Sequence, residues 1–301
     1  MIPEPGTHGG DGRAVARALG LDPATVLDLS MSLNPFAPDA RAVVGRHLDE
    51  IATYPDPTVA TVALAESLAV PPERVLLTNG GSEAIRLVAG AVGGTVVREP
   101  EFSLHPRGAA GPRWRSNPHN PSGTLAAPAE QADVWDEAFY PLATGTWTRG
   151  DAGSTVVGSL TKVFSCPGLR LGYVLADDVE RLAAAQPGWP VNGPALGALP
   201  ELLARADLPL WHRALAARRA ELVALLARHG LVAVAADAPW VLVDAPWLRD
   251  RLAPAGVVVR DCASFGLSGT VRIGLPDDDG LARLDDALRR TPIDDLTQER
   301  P

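Results

Sequence analysis

The run Val75-Leu76-Leu77-Thr78 meets Asn79-Gly80-Gly81-Ser82 and then a helical pattern, EAIRLVAGAV. A short apolar strand, a glycine turn and a helix form an α/β unit. The turn leaves N–H groups at the helix start, a place suited to a phosphate. Further short apolar runs at residues 95–98, 132–135, 155–159 and 173–175 are buried-strand candidates. Their spacing predicts an α/β fold, a three-layer αβα large domain with a mostly parallel sheet and helices over both faces.

Other segments set the organisation. Residues 12–20 read as a short helix closed by glycine, and residues 27–33 as a strand or extended arm entering the turn at Asn34-Pro35. Residues 59–68 read as a helix stopped by Pro71-Pro72. The cluster QPGWPVNGP at 186–194 marks a boundary, beyond which 211–229 is an amphipathic helix ended by Gly230. LVAVAA, WVLVDA, GVVVRDC and TVRIGL then read as strands of a smaller α/β C-terminal domain. The division expected is an N-terminal arm and substrate segment at 1–40, a trimmed large domain at 41–190, a small domain at 191–290 and a disordered tail at 291–301.

With 46% hydrophobic residues, the 301-residue chain can bury a large core. Its 27 Lys+Arg against 36 Asp+Glu argue against nucleic acid as a partner, which calls for a basic face. Small anions need only a local arginine cluster. Cys166 and Cys262 make neither a disulfide framework nor a zinc site, so no metal is expected and two buried residues in a reducing compartment are. The chain shows no apolar run suited to a membrane and opens without an apolar leader, which predicts a soluble, cytoplasmic protein.

One lysine remains in the whole chain, Lys162, within SLTKVFSCPGLRLGY at 159–173. An arginine-rich composition makes the lone lysine an accident on one reading, and an ordinary surface residue on another. A lysine in a desolvated pocket has a further use: its neutral amine attacks an aldehyde and holds it as a Schiff base. Ser159 and Arg170 could then bind a phosphate carried by that aldehyde.

This segment resembles the pyridoxal-phosphate attachment site of the aspartate aminotransferase superfamily, fold type I. Three more segments resemble that superfamily in its order: Asn79-Gly80-Gly81-Ser82-Glu83, Asn117-Pro118-His119-Asn120-Pro121-Ser122-Gly123 and Asp136-Glu137-Ala138-Phe139. The resemblance implies pyridoxal 5'-phosphate as cofactor. Lys162 is then its covalent anchor and general acid/base, and Asp136 the partner of the pyridine nitrogen. Asn120 donates to the ring oxygen, while Gly81, Ser82, Ser159 and Arg170 form the phosphate cup. On their own Asp136 reads as a cap, Asn120 as a turn residue and Gly81-Ser82 as an ordinary strand-to-helix turn. His105, in PEFSLH, stands where the superfamily places the aromatic that stacks on the pyridine ring. Tyr54, in YPDP, stands where a tyrosine reaches the neighbouring subunit's cofactor, implying a homodimer.

Two subfamilies compete. His8-Gly9-Gly10-Asp11, Leu33-Asn34-Pro35, Trp189-Pro190-Val191-Asn192, the run from Arg260 to Leu267 and the DEAF ending resemble the threonine-phosphate decarboxylases of cobalamin biosynthesis. The implied activity is decarboxylation of L-threonine O-3-phosphate, a small phosphorylated amino acid. His8, Asn34 and Arg260 are the candidates for its phosphate and Arg272 for its α-carboxylate. A histidinol-phosphate-type aminotransferase is the alternative, and a cofactor-binding homologue without catalysis a third reading. Two connections, 103–116 and 124–135, are short for a parallel crossover. They predict the loss of a helix, and of one sheet edge, to extended chain.

Overall fold

A computed structural model describes residues 1–150 and 153–290. Its contacts divide the chain into two units: residues 36–120 with 124–213, and residues 1–35 and 121–123 with those from 214 onward. Among the described residues the strands, in chain order, are β1 (Leu27–Asp28), β2 (Val75–Asn79), β3 (Thr95–Val96), β4 (Arg113–Ser116), β5 (Val134–Asp136) and β6 (Thr155–Ser159). They continue with β7 (Leu171–Leu175), β8 (Ala233–Ala235), β9 (Trp240–Asp244), β10 (Val257–Val258), β11 (Arg260–Asp261) and β12 (Thr270–Gly274).

The unit of residues 36–213 is built on a six-stranded sheet ordered β2-β7-β6-β5-β4-β3. β3, β4, β5 and β6 pair in parallel, whereas β7 is antiparallel to both β6 and β2. β2, β5 and β6 therefore run the same way, and their carboxyl ends share one edge. The helix Gly81–Val92 lays Ala84, Ile85 and Val88 on Trp114, Val134, Val157, Val174 and Leu182. Each large apolar side chain so buried is worth roughly 1.5–3 kcal/mol. The α/β fold with a mostly parallel sheet expected from the strand pattern is the fold found, β7 being the antiparallel strand.

The two short connections carry no helix, but the sheet strand survives: GPRWRS supplies β4, which the sequence spacing had made doubtful. Side chains take over the hydrogen bonding that a helix would do for itself. Buried Arg115 pairs with Glu130 and donates to Ser116 O at 2.7 Å. Arg149 donates to Pro128 O and Glu130 O at 3.0 and 2.8 Å, with its guanidinium 4.5 Å from the Trp135 ring. Arg107 holds the preceding connection by donating to Glu101 O and His105 O at 3.0 and 2.7 Å.

The other unit contains an antiparallel sheet ordered β11-β12-β9-β8 and a parallel pair, β1 with β10. This pairing gives the N-terminal arm to the C-terminal unit, rather than leaving it as a separate segment of 1–40. The division between units falls within the helix Leu208–Arg228, not at residue 190; the Pro/Gly cluster there only precedes another helix, Gly193–Ala204. The arm is fixed by the Asp28 carboxylate, which accepts from Gly12 N and Ser30 N, and by Gly10 N donating to Ser30 Oγ at 2.7 Å. The expected tail, 291–301, lies outside the described residues. Among the described residues no helix is long and apolar enough to cross a membrane.

Candidate functional site

Strand register assembles the cup. Asn79 is opposite Leu171, Ser159 opposite Gly172 and Asp136 opposite Val157, so Gly80, Asp136, Ser159 and Arg170 gather where β2, β5 and β6 end and β7 begins. Open α/β sheets bind ligands at that edge. Gly80 has φ +76° and caps the helix Gly81–Val92. A Cβ at residue 80 would meet Arg170 Cζ at 2.8 Å, and one at residue 172 would meet Gly81 N at 2.6 Å. Glycine at both positions lets the guanidinium and the helix start close on one another.

Ser159 Oγ lies 3.8 Å from the point that a Cβ on Gly81 would occupy, and 2.8 Å from Thr161 Oγ1. Arg170 adopts φ +58° and donates to Pro167 O at 3.1 Å, while Asn192 Nδ2 braces Leu169 O at 3.0 Å. A groove of about 770 Å³ runs from Asn79 and Arg170 along the helix Gly81–Val92 to Gly90, with Glu83, Arg86 and Arg181 on its walls. The helix start at Gly81, the Ser159 hydroxyl and the Arg170 guanidinium, brought to one sheet edge, are the donors a phosphate monoester takes, at about 1.5–3 kcal/mol for each charged bond.

Lys162 sits in the one-turn helix Leu160–Val163, with Nζ 5.8 Å from the centroid of the Phe139 ring. Asp136, at the end of β5, is buried; its Oδ1 accepts from Ala138 N at 3.0 Å and its Oδ2 is 2.9 Å from His105 Nε2. A carboxylate only accepts, so Nε2 carries the hydrogen. Behind the imidazole, buried Glu101 accepts from Ser116 N and Oγ at 2.9 and 2.6 Å, with Oε1 3.9 Å from His105 Nδ1. The His105 side chain has 0% exposure. It stands as a support to Asp136 and offers no open face, where the sequence reading makes it a stacking ring. Glu101 escapes sequence reasoning because, between Pro100 and Phe102, it resembles any surface acid.

Asn120 is buried at the end of its loop, beside Asn117, whose Oδ1 accepts from Ala126 N at 2.9 Å. Tyr54 belongs to the same unit, 76% exposed and stacked on Trp189 with ring centroids 4.3 Å apart. Cys166 is buried and its thiol is pushed up to about 12 by that burial, which leaves it a packing residue.

The remaining candidates lie in the other unit. Arg260 and Arg272 are direct partners across β11 and β12, and both are buried. Arg272 lies 4.7 Å over the Trp240 ring and Arg260 4.5 Å over Phe265. Arg260 donates to Thr7 O at 3.0 Å, next to the exposed His8; Asn34 is buried in the same unit. Burial, then the neighbouring Arg260 charge, pushes the Arg272 guanidinium down to about 9. Two buried like charges facing one another favour an anion, which relieves both desolvation and repulsion.

Anion binding needs the protonated guanidinium, so it is present below that value and lost above it. Affinity for a monocarboxylate such as acetate, followed by calorimetry, should fall roughly tenfold per unit above about pH 9. An ordinary arginine site stays flat there, and a flat profile would contradict the placement of Arg272.

The pattern of the aminotransferase class I and II family matches residues 114–288. Histidinol-phosphate aminotransferase 1 of Dechloromonas aromatica (strain RCB) is 25% identical over 92% of each chain. That alignment runs for 338 positions against 301 residues here, as the shortened connections require. A threonine-phosphate decarboxylase of Sinorhizobium sp is 34% identical over 59% of each chain. Among solved structures, the histidinol-phosphate aminotransferase of Sinorhizobium meliloti in complex with pyridoxal-5'-phosphate superposes with a TM-score of 0.79 at 17% identity, covering 93% of this chain and 95% of that one. The chain belongs to the aminotransferase class I and II family.

Proposed function

We propose that the chain is a pyridoxal-phosphate-dependent carboxy-lyase converting L-threonine O-3-phosphate to (R)-1-aminopropan-2-ol O-phosphate. That it is an enzyme of the pyridoxal-phosphate-dependent aminotransferase-like family follows from its family membership. Pyridoxal 5'-phosphate is accordingly its cofactor, and the cradle at Gly80, where a Cβ would collide with Arg170, fits the cofactor phosphate. The observation that carries the choice of substrate, a small molecule bearing two anionic groups, is the buried pair Arg260 and Arg272. Threonine phosphate presents a phosphate and a carboxylate to two guanidiniums; histidinol phosphate has no carboxylate, though the 2-oxo acid of an aminotransferase does, so the pair fits the substrate and the orientation of Cα selects the reaction.

Bound cofactor supplies an electron-withdrawing ring that accepts the electron pair left on Cα when a bond to it breaks. The chain's own residues divide the remaining work. Gly81 and Ser82 N–H groups, Ser159 and Arg170 bind the cofactor phosphate. Asp136, backed by His105, would accept the hydrogen of the ring nitrogen, and Asn120 would donate to the ring oxygen. Lys162 Nζ would hold the cofactor and, once the substrate amine has displaced it, would be the protonated amine placed to give a proton to Cα. Arg272 holds the carboxylate, and Arg260 with His8 and Asn34 holds the substrate phosphate. Which Cα bond stands perpendicular to the ring decides between losing carbon dioxide and losing a proton.

The second reading, a histidinol-phosphate-type aminotransferase, is favoured by the relatives matched over 92% of the chain. Purified protein loaded with cofactor separates the two. Carbon dioxide release from L-threonine O-3-phosphate without any 2-oxo acid is the expected result. Turnover of histidinol phosphate that depends on 2-oxoglutarate, with no carbon dioxide, would select the aminotransferase. The absence of both would leave a non-catalytic cofactor binder.

Tyr54 and the apolar residues Leu48, Ile51, Val59, Val62 and Trp189 are exposed in one unit, and we assign them to a contact with a second copy that brings Tyr54 to the partner's cofactor. Sedimentation should give twice 31.5 kDa for the wild type and a monomer for Ile51→Asp. A wild-type monomer at cellular concentration would remove the dimer from the account.

A further inference from the structure

The indole of Trp240, at the start of β9, makes two contacts that point in different functional directions. Its ring carries the Arg272 guanidinium, 4.7 Å from the ring centroid. Its Nε1–H donates to Pro121 O at 2.9 Å. Pro121 directly follows Asn120 in the chain, and two residues on, Gly123 O accepts from Asp237 N and Ala238 N at 3.0 and 3.1 Å. Arg219 braces that same turn by donating to Asp237 O and Ala238 O at 2.7 and 3.1 Å. Trp240 is 1% exposed, so neither contact is negotiated with solvent.

A buried tryptophan ordinarily fills core volume and finds some acceptor for its N–H. Here both the platform and the acceptor belong to groups with assigned roles. Arg272 is buried beside another arginine, and the flat π-face of Trp240 fixes its guanidinium from one side. A carboxylate on the platform would instead neutralise it and compete with an incoming anion. The hydrogen bond to Pro121 acts on the residue that follows Asn120, and so limits how that amide can shift.

Resting on the reading of Arg272 and Asn120 given above, we infer that Trp240 is a positioning residue for both: its ring face aims the carboxylate-binding guanidinium, and its N–H fixes the loop that presents Asn120 to the cofactor. The two duties separate by substitution. Phenylalanine keeps a ring face and loses the N–H; leucine loses both.

The test uses the full-length chain and three probes that do not turn over. These are 3-phosphonooxybutanoate (both anionic groups, no amine), isopropyl phosphate (no carboxylate) and pyridoxal 5'-phosphate itself, each titrated calorimetrically. Trp240→Phe should hold 3-phosphonooxybutanoate within about threefold of wild type, yet weaken pyridoxal 5'-phosphate roughly fivefold through the lost hydrogen bond. Trp240→Leu should show the same cofactor loss, plus roughly tenfold weaker 3-phosphonooxybutanoate with isopropyl phosphate unchanged.

Wild-type values for all three probes in both variants would overturn the inference, as would parallel loss of all three, which marks a general packing defect. If Trp240→Leu does not fold, Trp240→Met takes its place, and Trp240→Phe alone still reads the N–H. Arg272→Ala separates the two levels of argument. If wild type does not prefer 3-phosphonooxybutanoate to isopropyl phosphate and Arg272→Ala changes nothing, the carboxylate role of Arg272 fails, while the cofactor titration still decides the Asn120 limb.

Discussion

The guanidinium of Arg170 lies where any side chain on residue 80 would have to go. That close approach depends on much else in the unit. Gly80 must take φ +76°, Gly172 must leave room for the start of the helix, and β7 must run antiparallel between β2 and β6 so that Arg170 enters beside both strand ends. Once this is arranged, a positive side chain, a helix N-terminus and the Ser159 hydroxyl converge without further cost in backbone freedom. Lys162, three residues along from Ser159, is delivered to the same edge by its single helical turn.

The second requirement is to hold charge in a buried place, and the chain meets it in layers. Asp136 takes its orientation from His105, and His105 is flanked by Glu101, itself fixed by Ser116 on β4. The layer reaches from β5 to β4, so it depends on the strand that the shortened connections preserve. The connections before and after β4 carry no helix, yet the strand ends that bear Asp136 and Ser116 are in place and paired. Arg107, Arg115 and Arg149 donate to main-chain carbonyls at Glu101, Ser116 and Glu130. Trimming and an intact cofactor edge are therefore compatible.

Local signals made the cup legible in the sequence. Gly80-Gly81-Ser82 after an apolar run, and a lone lysine before GLR, are short-range patterns whose chemistry is local too. What was not legible depends on long-range pairing. The arm's strand Leu27–Asp28 joins Val257–Val258, some 230 positions away by the register Leu27 to Val257, so no local pattern could give the arm to the C-terminal unit. The strand Arg113–Ser116 hides in GPRWRS because two arginines break the apolar run; only its buried setting, with Arg115 at 1% exposure, reveals it. His105 was read from its sequence neighbours as a stacking ring. Its hydrogen bond to Asp136, 31 positions on, is what places it as a support.

The central claim is that this edge holds pyridoxal 5'-phosphate through Lys162 and the Arg170 cup. Titrating the cofactor into purified protein and following visible-edge absorbance tests it most directly. The account predicts a band in the wild type that Lys162→Ala abolishes and that Arg170→Ala reaches only at much higher cofactor concentration. A wild type without the band, or a Lys162→Ala variant with the same band, would contradict it.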